Sequence, residues 1–123
     1  MTSLMSAELQ VDVWLRGTDF AKTQNISGVS LDPASWTDHD VSRLLKEMLL
    51  AIYRAKNPES TDSTVYLRGF SWIVEPTASG VVIAIEIPMG AAVAGPFAVE
   101  QAGLDRKIRR VIAAASPHKP VVH

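Results

Sequence analysis

The chain has 123 residues, 47% hydrophobic and 20% charged, which suits one globular domain and excludes a disordered chain. It has no cysteine, so a disulfide framework, a thiolate zinc centre and a cysteine nucleophile are all ruled out. Twelve basic residues against thirteen acidic ones leave a formal net charge of -1, too little field to draw in nucleic acid or an anionic membrane by itself.

Met1 to Ala7 carries no basic residue and no apolar run of signal-peptide length, so a cytoplasmic location is expected. Leu9, Val11, Val13 and Leu15 then alternate with Gln10, Asp12, Trp14 and Arg16, the period of two that marks a half-buried strand, closed by Gly17. A short second strand over residues 25–31 would use Ile26, Val29 and Leu31, interrupted at Gly28. The next element has the strongest pattern. Val41, Leu44, Leu45, Met48, Leu49, Ile52 and Tyr53 recur at helical spacing, with Ser42, Arg43, Lys46, Glu47 and Arg54 opposite. Thr37 is the expected N-cap, Asp38 and Asp40 suit the positive helix end, and Asn57-Pro58 is the stop.

A polar linker, Glu59 to Ser63, leads to two β-rich runs, 64–75 and 81–88, joined by Pro76-Thr77-Ala78-Ser79-Gly80 as a hairpin loop. Residues 89–97, rich in Gly and Ala, are expected to be a connection. A final helix covers 99–115, and Ser116-Pro117 ends it. One domain, 1–116, with a flexible tail, 117–123, follows. The stretch 81–99 carries a single charge, Glu86, but Pro88, Gly90, Gly95 and Pro96 argue against a spanning helix. Val13-Trp14-Leu15-Arg16-Gly17 and Val65-Tyr66-Leu67-Arg68-Gly69 repeat one pattern, compatible with a duplicated ββα unit.

The five-residue loop sets the hairpin register and therefore its faces. It pairs Glu75 with Val81 and Trp72 with Ala84, so Val65, Leu67 and Ile73 join Val81, Ile83, Ile85 and Ile87 on an aliphatic face for the helices. Tyr66, Arg68, Phe70, Trp72 and Glu86 fall on the other face, with Arg68 and Glu86 as diagonal neighbours. That aromatic face either packs within the monomer, associates with another copy or stacks a ligand.

Catalytic patterns are weak. In Asp38-His39-Asp40 consecutive helical residues diverge by about 100°, so capping explains them better than metal ligation. His118 and His123 lie in the tail, and no metal or cofactor is expected. The Gly90 to Gly95 segment has neither a dinucleotide-binding nor a phosphate-loop pattern. Ser35, Ser71 and Ser79 lack a nucleophile-elbow context. Arg106, Lys107, Arg109 and Arg110 form the one basic cluster, on the outer side of the last helix.

The expected architecture is α+β, an antiparallel sheet of three or four strands with two helices on one face. The leading functional expectation is a non-catalytic, homo-oligomeric interaction module that associates through Tyr66, Arg68, Phe70, Trp72 and Glu86, with a further protein partner also open. RNA or single-stranded nucleic-acid binding through the same aromatics and Arg106, Lys107, Arg109 and Arg110 is the alternative. A small-ligand site or enzyme between the sheet and the Gly-rich connection, using Arg68 and Glu86, is the second alternative.

Overall fold

The computed structural model describes residues 9–26, 28–59 and 65–115. Its elements are β1 (Leu9–Leu15), β2 (Lys22–Ile26), α1 (Asp38–Lys56), β3 (Ser71–Thr77), β4 (Gly80–Ile87), β5 (Gly90–Phe97) and α2 (Gln101–Ala115), with a single 3-10 turn at Pro33–Ser35 before α1. The architecture is α+β, with five strands in one antiparallel sheet, ordered β2-β1-β5-β4-β3. The expectation of three or four strands is corrected by β5. The segment 89–97, expected to be a connection, supplies the middle strand of the sheet.

Small residues explain why β5 can sit there. Ala92 and Ala94 are buried beneath α1, and an added Cβ at Gly90 would overlap the Trp14 carbonyl oxygen of β1. Strand propensity is low in this sequence, but the site demands thin side chains more than β-branched ones. The apolar stretch 81–99 is thus mostly two strands and their turn, and no helix among the described residues is long and apolar enough to cross a membrane.

α1 packs over β2, β1 and β5 and against α2, while α2 reaches β3. Leu45, Met48, Leu49 and Ile52 of α1 share one buried core with Leu67, Ile83 and Ile85, as expected, while Ile73 is left out of it. Because α1 faces both the sheet and α2, its buried arc is wider than one stripe: Leu50, Ala51 and Ala55 are buried as well, while Tyr53 is exposed. Thr37 caps α1 as expected. The Asp40 amide donates to the Thr37 hydroxyl, and the Thr37 amide donates to the Asp40 carboxylate. Trp36, just before the cap, packs edge-on against Phe97 at 4.8 Å and donates its indole N–H to the Ser30 carbonyl. That contact ties the chain entering α1 to the end of β5.

Several boundaries differ from expectation. The second strand lies at Lys22–Ile26, not 25–31, and β3 starts at Ser71, not residue 64. α2 begins at Gln101. The element order is ββα followed by βββα, so a simple duplication of ββα does not describe the chain. The two similar pentapeptides also differ in setting: the first closes β1, whereas the second precedes β3 and forms no strand. Each nonetheless ends in a glycine with positive φ, 90° at Gly17 and 74° at Gly69. The tail 117–123 and most of the linker 59–63 lie outside the described residues.

The hairpin register is the most consequential difference. Thr77 pairs with Gly80 across a two-residue turn, Ala78-Ser79, so Glu75 faces Val82 and Trp72 faces Ile85. Pro76 is inside β3, tolerated because β3 is an edge strand. The Thr77 hydroxyl donates to the Gly80 carbonyl and accepts from the Ser79 amide, which tightens the turn. A shift of one residue exchanges the two faces of a strand. Val74 therefore enters the core and Trp72 turns to the helix side, while Ile73, expected in the core, is 51% exposed.

Candidate functional site

The two faces of the sheet are unequally covered. On the helix side, Val11, Val13, Ile83, Ile85, Ala92 and Ala94 are buried. On the other side, the two longest rows of paired positions are Thr23, Asp12, Val93, Ala84 and Ile73, then Trp14, Ala91, Glu86 and Ser71, with Gln10 opposite Asn25 and Val82 opposite Glu75 as shorter pairs on the same face. No element among the described residues packs on this face. Its centre is low and apolar, built from Ala84, Ala91 and Val93. Trp14, 38% exposed, and Ile73 rise from it on β1 and β3.

Polar residues border that centre. Thr23 donates its hydroxyl to Asp12 at 2.7 Å across β1 and β2. Arg16 donates Nε–H to the Pro88 carbonyl at 2.7 Å, which holds the guanidinium at the turn between β4 and β5. There Arg16, Phe70, Ser71 and Glu86, with neighbouring backbone, line an open cleft of about 480 Å³. Arg16 belongs to this surface because β1 joins the sheet beside β5.

The residues expected to form one interface are divided by the register. Phe70 and Glu86 meet in the cleft beside Arg16. Trp72 lies on the helix side, with the Arg109 guanidinium 5.3 Å from its ring centroid. Tyr66 and Arg68 stack on each other at 5.1 Å before β3 begins and line another cleft, of about 510 Å³, with Lys46 and Ala115. Arg68 is therefore not the diagonal neighbour of Glu86. Trp14 and Ile73 occupy the open face instead. Alternation in β1 pointed to Trp14, whereas nothing short of the correct turn length could find Ile73.

Three of the four basic residues of α2 are engaged within the chain. Lys107 donates to the Trp36 carbonyl at 2.8 Å, and Arg109 pairs with Asp105 at 2.7 Å. Arg110 grips Asp38 with two bonds of 2.6 and 2.7 Å. That hydrogen-bonded pair lowers the Asp38 carboxyl below its ordinary value of 3.8 and raises the Arg110 guanidinium above its ordinary range. Asp38 thus joins α1 to α2, Asp40 makes the cap, and His39 is exposed. His118 and His123 lie outside the described residues. Among those residues, no group of three or more His, Asp or Glu is arranged to hold a metal ion, and no polar or charged side chain is buried.

A third cleft, of about 250 Å³, lies between the 3-10 turn and the start of α2, where Trp36, Leu104 and Lys107 meet. Its one lysine is the residue already bound to the Trp36 carbonyl. Comparison with known proteins finds no matching family model, no matching curated protein and no matching solved structure.

Proposed function

We propose that this chain is an interaction module that self-associates by burying the open face of its sheet against a second copy. The observation that carries the proposal is the apolar centre of Ala84, Ala91, Val93, Trp14 and Ile73, left without a covering layer among the described residues. Antiparallel sheets often keep one solvated face, but such faces normally alternate to polar residues. Here Asp12 and Glu86 flank the centre, and Ala84, Ala91 and Val93 between them carry no polar side-chain group. Five strands about 4.8 Å apart and about seven residues long span roughly 500 Å² in projection, and side-chain relief brings this toward the roughly 800 Å² per partner of an ordinary dimer. Facing sheets pack about 10 Å apart where larger side chains meet, and the alanines and valine at this centre permit a closer approach.

The anchors in this proposal are Trp14 and Ile73, with Phe70 and Glu86 at the border, in place of Tyr66, Arg68 and Trp72. A cytoplasmic setting is part of the proposal, since a chain without cysteine needs no oxidising compartment. Sedimentation velocity over a range of concentrations tests the association. The full chain should form a dimer, and Val93→Glu, which puts a carboxylate at the centre of the face, should give a monomer with unchanged circular dichroism. A particle mass indifferent to both concentration and Val93→Glu would overturn the proposal.

A further inference from the structure

We infer that the two copies pair about a two-fold axis along β5, so that Arg16 of each chain meets Glu86 of the other. This rests on the self-association proposed above and specifies its register. β5 is the third of five strands, flanked by β1 and β4. An axis along it lays β5 on its own copy, β1 on the partner's β4 and β2 on the partner's β3, which overlaps all five strands. Only small or β-branched residues, Ala91 and Val93, then face each other at the axis.

Charge selects this axis over the alternative. The outward positions of the strands carry the acids Asp12, Glu75 and Glu86, and the cation among them is Arg16, directly after β1. Asp12 already accepts from Thr23. Glu86 has no ion pair within its own chain among the described residues, although Arg16 lines the same cleft. An axis across the strands would set β4 on its own copy, and that strand offers Glu86 no cation. The axis along β5 exchanges the β1 and β4 sides instead. Trp14 and Glu86 share a row, each paired with Ala91, so Trp14 comes to lie over the partner's Glu86. Arg16 is one pleat farther along on the same face, within reach of a long side chain. The Nε–H bond to Pro88 leaves the terminal guanidinium nitrogens for that carboxylate.

Because β1 and β4 exchange places, the pairing can be tested with two different chains. Arg16→Glu alone sets two carboxylates together at both ends of a homodimer, and Glu86→Arg alone sets two guanidiniums together. Each should weaken dimerisation at least tenfold by sedimentation equilibrium. In an equimolar mixture, Glu at position 16 of one chain meets Arg at position 86 of the other, and the second contact keeps the native pair. Mixed dimers should therefore recover to within about threefold of the wild-type dissociation constant. Contacts inside each chain remain like-charged in that mixture, so recovery can come only from pairing between chains. Circular dichroism of each variant monitors folding. If reversal disturbs it, Arg16→Gln and Glu86→Gln supply a double-mutant cycle on the dissociation constant, and additive losses would overturn the register. A wild-type dimer with no recovery in the mixture would also overturn the register, leaving the face as the interface. A wild-type monomer at all concentrations would overturn both.

Discussion

On the helix side of the sheet, Ile83 and Ile85 of β4 disappear beneath the helical layer; on the other side, Ala84 and Glu86 of the same strand, with Ile73 beside them and Trp14 across β5, are left uncovered among the described residues. The buried side is ordinary core, where apolar bulk fills space under α1 and α2. The open side is apolar but thin at its centre, and its large side chains stand apart. Thin residues waste the chance to bury area within a monomer, yet they let a second flat surface come close. In the proposed dimer, alternation along these strands serves two different contacts, one within the chain and one beyond it.

The largest expected effect sharpens that contrast within a single hairpin. Ile83→Ala removes a side chain with no solvent exposure and should cost about 2–5 kcal/mol in a denaturant titration. Ile73→Ala, on the open face, should cost less than about 0.5 kcal/mol when measured at a concentration where the chain is monomeric. A loss at Ile73 equal to that at Ile83 would mean that both faces are covered within the monomer.

A smaller effect concerns the link between the helices that build the covered side. The Asp38 carboxyl is held below 3.8 by its hydrogen bonds to Arg110. A depressed folded value contributes stability that is present above the unfolded value and is lost as pH falls through the folded one. Asp38→Asn should therefore melt slightly below wild type at neutral pH, and the two should converge as pH falls below the ordinary carboxylate range. Both partners are exposed, so added salt should shrink the gap. A gap that persists at low pH would assign the role of Asp38 to something other than its charge.

Much of the fold was legible in the sequence, for identifiable reasons. α1 could be read from its apolar spacing, the Thr37 cap and the Asn57-Pro58 stop, all of which are local signals. β1 could be read because Val11 and Val13 alternate with polar partners. β5 could not, because Gly90, Ala92 and Ala94 answer to the closeness of β1 and α1, which lie far away in sequence. The candidate site was hidden by a single ambiguity. Pro76 and Thr77 look like loop residues, but an edge strand accepts the proline and the Thr77 hydroxyl helps to close a two-residue turn. Three residues fewer in the loop move the register by one, and that sends Trp72 to the helices and Ile73 outward. Two helices and an antiparallel sheet were legible in the sequence; most residues of the uncovered face were not.

The central claim is that the open face, and not the helical surface, becomes buried on association. The chain has no cysteine, so a single introduced thiol reports on one position. Ala84→Cys places it between Val93 and Ile73 at the centre of the face, and Tyr53→Cys places it on the exposed side of α1. The measurement is the rate of thiol labelling as protein concentration is raised through the dimer dissociation constant. Labelling at position 84 should slow at least tenfold while labelling at position 53 stays constant. A rate at position 84 that never changes with concentration would contradict the account.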